Sequence, residues 1–169
     1  MKLIGLTLAS LIIFAVFNAL GIRKFGMKTC LSEYGKLWGD AVPIKNMNLW
    51  SIVLGISAAL LFPPILQATE GNPWQFVGFL APLYLFLVIF TPDYRESKKS
   101  NILHQIGAYT SAVGMLIWMI FIMHMWVPVV ALTIGFILIG FAAKNLKESL
   151  MYYLELSMFL SVDWVLLAY

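Results

Sequence analysis

Glu155 and Asp163 are carboxylates inside an otherwise apolar stretch, MYYLELSMFLSVDWVLLAY, that runs from Met151 to Tyr169. Placing a charged group at mid-bilayer costs at least about 2.5 kcal/mol, so such residues turn toward protein and find partners. Glu148, Tyr152, Glu155, Phe159 and Asp163 recur at steps of four, three, four and four, which puts them on one helical stripe. A second polar set lies on another apolar run, with His104 and Gln105 near its start and His124 near its end. A carboxylate beside an imidazole favours both charged forms and can titrate near neutral pH; the pairs read either as interhelical hydrogen bonds that fix helix order, or as a proton- or ion-coupled path or a polar headgroup site. Both runs are expected to start on the same side of the membrane, and this parallel placement sets Glu155 level with His104 and Asp163 level with His124. Gln67, Glu70 and Asn72 form a further polar cluster on the His124 side.

Other chemistry is excluded by spacing. His104 and His124 are twenty residues apart on one helix, about 30 Å by helical rise, and cannot share a metal. No H-x-x-x-H, C-x-x-C, G-x-S-x-G or phosphate-binding glycine loop occurs. No catalytic constellation, metal site or cofactor is expected. The single cysteine, Cys30, forms no intrachain disulfide and reads as a reduced thiol. The basic residues are spread over several loops, which argues against nucleic-acid binding.

The elements that position these residues follow from composition. The 169 residues are 62% hydrophobic and only 11% charged, with a mean hydropathy of +0.89. Soluble domains hold about 25% charged residues, so the bilayer is the natural solvent for this chain. The expected fold is all-α, one polytopic transmembrane helix bundle. Six apolar runs are helix candidates: 3–20, 49–67, 75–91, 103–123, 127–143 and 149–168. The third and fifth are short. The first reads as an anchor rather than a cleaved secretory signal, because no A-x-A site follows it. Pro63 and Pro64 should kink or end the second run, and Pro128 should open the fifth after a tight hairpin.

Charge sets the orientation. Ten of the eleven basic residues fall in the loops after the first, third and fifth runs, and only Lys2 falls in the others. The loops holding Arg23, Lys24, Lys28, Lys36 and Lys45, then Arg95, Lys98 and Lys99, then Lys144 and Lys147, are therefore expected in the cytoplasm, with both termini outside. Trp50, Tyr94, Tyr152 and Tyr153 should form an inner aromatic belt, and Trp74, Trp126, Trp164 and Tyr169 an outer one. In the basic loop, residues 21–48, the stripe Met27, Leu31, Tyr34 and Trp38 predicts a short helix lying on anionic lipid, or a docking element for a protein partner. Helix packing is expected from small residues: Gly55 and Ala59 in the second run, Gly107, Ser111 and Gly114 in the fourth, Gly135 and Gly140 in the fifth. Those three runs should form the bundle centre.

The segments TCLSEYGKLWG, FPPILQ, TPDYRESKK and HQIGAYTSAVGMLIW together resemble uncharacterised six-span membrane proteins of bacteria and, more faintly, the DRAM-like group. In that pattern Cys30, Leu31, Ser32, Glu33 and Tyr34 fill a serine- and tyrosine-containing element after the first helix. His104, Gly107 and Ala108 fill a histidine element opening the fourth. The resemblance implies a six-helix membrane bundle without enzymatic machinery. The function expected is lipid or partner binding by a protein of the bacterial inner membrane, possible as a homo-oligomer. The alternative is a small ion- or proton-coupled transporter using the seam between the fourth and sixth helices.

Overall fold

The computed structural model describes residues 3–44 and 47–169, so Lys2 and Lys45, which enter the charge argument, lie outside the described residues. The chain is helical almost throughout. In order come α1 (Ile4–Phe25), α2 (Glu33–Ala41), α3 (Leu49–Ala68), α4 (Gln75–Ile89), α5 (Lys98–Ile117), a π-helical turn (Trp118–Ile122), α6 (Val127–Ala142) and α7 (Leu146–Ala168). A two-residue antiparallel pairing, Pro43–Ile44 against Met47–Asn48, links α2 to α3.

Four helices, α1, α3, α5 with its π turn, and α7, are long and apolar enough to cross a membrane. In lipid a backbone must satisfy its own hydrogen bonds, and a continuous helix does so. The other two apolar helices are shorter than the six-run reading required. With 15 residues in α4 and 16 in α6, they rise only about 22–24 Å against a hydrocarbon core of about 30 Å. Exposed apolar side chains cover the flanks, including Ile12, Val16, Phe90, Tyr109, Phe121, Leu138 and Phe141.

Local signals set the helix ends. The Asn48 side chain accepts the Trp50 N–H at 2.9 Å, and Ser97 Oγ accepts the Ser100 N–H at 3.0 Å, both as N-caps. Gly26, at φ 74°, ends α1. Pro63 and Pro64 do not end α3, which continues to Ala68 with Pro64 buried. Gln75 Nε2 donates to the Leu66 carbonyl at 2.7 Å just beyond them.

The helices pack in the order α5, α4, α3, α1, α7, α6, with no close backbone packing between α5 and α7. Glycines set the tightest approach. A Cβ on Gly107 would lie 2.8 Å from the Tyr84 carbonyl oxygen, and one on Gly114 would lie 2.7 Å from Ala81 Cβ. A Cβ on Gly140 would meet Leu146 and Tyr153 at 2.7 and 2.9 Å, which lets α6 turn closely onto α7. Gly135 has nothing within 4 Å and Ala59 is exposed, so neither packs helices. Gly55 meets only ordinary contacts, at 3.8 Å from Ile89. In α3 the buried small residues are instead Ser51, Ser57 and Ala58. Nor does α6 belong to the centre: its buried residues are Pro128 and Gly140, because it touches the bundle chiefly through α7.

Two apolar clusters fill the interior. One joins Phe14, Leu31, Tyr34, Trp38, Trp50, Leu54, Tyr152 and Tyr153 at the basic end of the bundle, where the loops 26–32, 90–97 and 143–145 gather. The other joins Leu61, Ile65, Met115, Trp118, Val162 and Val165 toward the opposite end. The stripe Leu31, Tyr34, Trp38 is thus buried in the bundle and does not lie on lipid. The open basic ends of α1, α3 and α7 offer these rings more apolar contact than a headgroup layer would. For the same reason Trp50, Tyr152 and Tyr153 are core residues and not belt anchors, whereas Trp74, Trp126, Trp164 and Tyr169 are exposed.

Candidate functional site

The segment 29–32 leads into α2 and crosses the gap between α5 and α7. On the α7 side, the backbone at Ser149 leaves helical geometry at φ −118°, ψ 18°. The Tyr152 N–H donates to the Thr29 carbonyl at 2.8 Å, outside the helical ladder. One turn on, Glu155 Oε2 accepts the Leu31 N–H at 2.6 Å. On the α5 side, Ser32 Oγ and His104 Nε2 lie 3.0 Å apart, both residues buried. Glu155 and His104 do come to adjacent positions, but each bonds its own residue of the crossing segment.

The partners of His104 fix its tautomer. The Thr91 hydroxyl donates to the Leu87 carbonyl at 2.6 Å. Nδ1 faces the Thr91 carbonyl at 3.2 Å and Oγ1 at 3.1 Å. A carbonyl only accepts, so Nδ1 carries the proton and Nε2 accepts from Ser32. The ring is further held by Tyr94, stacked on it at 4.0 Å between centroids with planes 16° apart.

Outside the apolar layer, ion pairs clamp the same segments together. Arg95 Nη2 meets Glu33 Oε1 at 2.6 Å, and Lys36 Nζ meets Glu96 Oε1 at 2.7 Å. Burial works against the Glu33 carboxylate, but hydrogen bonds from Thr29 and Arg95 outweigh it and hold its carboxyl below the usual range. Burial pushes the Tyr94 phenol up to about 12. Burial, then the nearby Glu155, also raises the Cys30 thiol, which sits 3.8 Å from Tyr94 Oη and stays protonated.

Two hollows meet at this crossing. The first is a chamber of about 130 Å³ in the bundle axis. Its walls come from α1, α3, α4, α5 and α7, and Leu31, Ser32, Tyr34 and Trp38 close its basic end. They are apolar, with Asn18, Ser32, Ser57, Ser111 and Glu155 as the polar exceptions and Tyr34 and Trp38 at the rim. An apolar cavity of about 150 Å³ stays dry and takes up benzene, so this chamber suits a short stretch of hydrocarbon. From Glu155 to Val162 it runs about 10 Å along α7. The second hollow is a groove of about 270 Å³ on the basic end, between α2 and residues 92–96. Its charged residues are Lys28, Lys36, Arg95, Glu33, Asp40, Asp93 and Glu96. Ser32 lines both hollows.

The remaining sequence candidates stand apart. Asp163 is buried, with Oδ1 lacking a partner among the described residues, and no bond joins it to His124. His124 is exposed, in the left-handed region at φ 53° after the π turn. The extra backbone of that turn carries it out of the bundle. One turn beyond the Phe14–Phe159 stack stand Asp163 on α7 and Ser10 on α1. Ser10 Oγ pairs with Ser57 Oγ at 2.9 Å, and Thr7 is buried three residues further along. Met158, Phe159 and Val162 separate Glu155 from Asp163 along the chamber wall. Gln105 and Glu70 are exposed. Gln67 Oε1 accepts the Leu3 N–H at 2.9 Å, and Asn72 Oδ1 accepts the Trp74 N–H at 2.8 Å, so this cluster fastens the ends of α1 and α4 rather than forming a site. No group of three metal-binding side chains occurs among the described residues.

The residues missed by sequence reasoning are Thr91 and Tyr94, and the pairing of Ser32 with His104. They lie within TCLSEYGKLWG, TPDYRESKK and HQIGAYTSAVGMLIW, three segments already singled out, but 72 residues separate the serine from the histidine. Compared with known proteins, the chain matches no family model, no curated protein and no solved structure.

Proposed function

We propose that this protein is an integral membrane protein of the bacterial inner membrane, with its basic end in the cytoplasm, and that it binds a lipid. All six apolar helices cross, with α4 and α6 reaching across a locally thinned bilayer, in keeping with the resemblance to six-span bacterial proteins. The observation that carries this reading is the apolar chamber meeting a charged groove at Ser32. One segment of acyl chain enters the chamber through the gap between α5 and α7. The polar end rests in the groove. Two of the groove's bases are already paired with acids, which leaves Lys28, Asp40 and Asp93 as its charges outside an ion pair among the described residues. A headgroup carrying both signs, or none, matches this better than a plain anion. The apolar wall between Glu155 and Asp163 favours hydrocarbon over a conducted ion or proton.

The test is lipid analysis of protein purified in mild detergent. One lipid should co-purify near one per chain, and Ala112→Phe, which fills the chamber, should remove it while Gly135→Ala does not. Equal lipid content in wild type and Ala112→Phe would sink the proposal.

A further inference from the structure

We infer that Ser32 and His104 are a catalytic dyad that cleaves or transfers an acyl ester at the junction of chamber and groove. The inference rests on the lipid-binding reading and adds chemistry to it. A serine hydroxyl is a weak nucleophile unless a positioned base takes its proton, and the base must itself be held in the right tautomer. Both conditions are met. Ser32 Oγ is 3.0 Å from Nε2, the nitrogen left free to accept, and the Thr91 carbonyl holds the proton on Nδ1. Tyr94 fixes the ring plane by stacking.

Placement is the second argument. Ser32 is the one residue of the dyad that lines both hollows. An acyl chain in the chamber and its alcohol portion in the groove would bring the ester carbon to Ser32. The crossing segment is held in register from the other side by Glu155, a positioning residue, through the Leu31 N–H. Ser32 is also the N-cap of α2, and its own N–H makes no hydrogen bond among the described residues. That N–H, at the positive end of a nine-residue helix, is available to the oxyanion.

The step balances as follows. Ser32 Oγ bonds to the ester carbonyl carbon as His104 Nε2 takes the hydroxyl proton. The tetrahedral adduct collapses, the bond from carbon to the alcohol oxygen breaks, and His104 returns the proton to the leaving alcohol. Water, or a second alcohol, then adds to the acyl-serine with His104 again as base. A carboxylic acid or a new ester leaves, and Ser32 regains its proton.

The experiment uses the full chain in detergent with a fluorophosphonate probe, followed by peptide mass spectrometry and by hydrolysis of p-nitrophenyl butyrate and dodecanoate. Labelling should map to Ser32, vanish in Ser32→Ala and fall at least a hundredfold in His104→Ala. Ala112→Phe should slow the dodecanoate more than the butyrate. Absence of a label on wild type, or labelling at another serine, overturns the dyad whether or not the variants fold. If Ser32→Ala keeps its co-purified lipid and wild type takes no label, the chemistry falls and lipid binding stands. If wild type is labelled at Ser32 but carries no lipid and shows no chain-length effect in Ala112→Phe, the chamber reading falls instead.

Discussion

Glu155 gains its meaning from a single backbone N–H. Its carboxylate accepts from Leu31, which precedes Ser32, so its loss leaves a buried donor without a partner. Unsatisfied buried donors cost about 1–3 kcal/mol. Glu155→Ala should lower the thermal midpoint in detergent accordingly, and Glu155→Gln, which keeps an accepting oxygen, should lower it less. Glu33 acts on the same segment through charge. Its folded carboxyl lies below its unfolded value, so its contribution is present above about pH 4.3 and is lost as pH falls through the folded value. Arg95 is largely exposed, which keeps the pair at or below about 1 kcal/mol. Acid titration of the wild type, followed by Trp fluorescence, should show a loosening that Glu33→Gln lacks.

At the scale of elements, α4 and α5 form the tightest pair because Gly107 and Gly114 admit the backbone of α4. A larger side chain there has to displace main-chain atoms. Gly107→Val should therefore destabilise by about 1–3 kcal/mol, the usual range for overpacking, and more than Gly135→Val, which meets open space. Melting both variants in one detergent checks the order. The same pair positions His104, since Thr91 closes α4 and His104 stands in the second turn of α5. Gly107→Val should thus also weaken the probe labelling of Ser32, a link that a merely structural hairpin would lack. The short α2 is an element of a different kind. Its rings plug the bundle, and its N-terminal segment bridges α5 and α7 at the basic end, where their backbones do not pack closely.

For the whole molecule, the number of apolar helices that cross the bilayer sets which loops share a side. Four are long enough without adjustment, and α4 and α6 are shorter by about 6–8 Å. Single cysteines placed at Glu70, Lys98, Lys144 and Tyr169 in a Cys30→Ser background decide it. In intact cells a membrane-impermeant maleimide should reach positions 70 and 169 and leave 98 and 144 unlabelled. Labelling of either lysine position would show that α4 or α6 fails to cross.

The sequence by itself determined the helices. Their apolar runs and the Pro128 start of α6 act over a few residues, so they are legible locally. The runs at 49–67 and 127–143 match α3 and α6 within a residue. The inward stripe on α7 is legible in part: Tyr152 and Asp163 are buried and Glu155 and Phe159 half-buried, but Glu148 is exposed. What only the tertiary structure decided was the partner of each polar group. Glu155 and His104 looked like an acid and a base for each other, yet a segment from the first loop lies between them and takes a bond from each. The apolar stripe Leu31, Tyr34, Trp38 has the spacing of a membrane-surface helix, and only the empty basic end of the bundle turns it inward. The physical reason is common to both cases. Periodicity reports which side of a helix is apolar, but the choice between lipid, protein and a crossing loop depends on chain brought together from far apart.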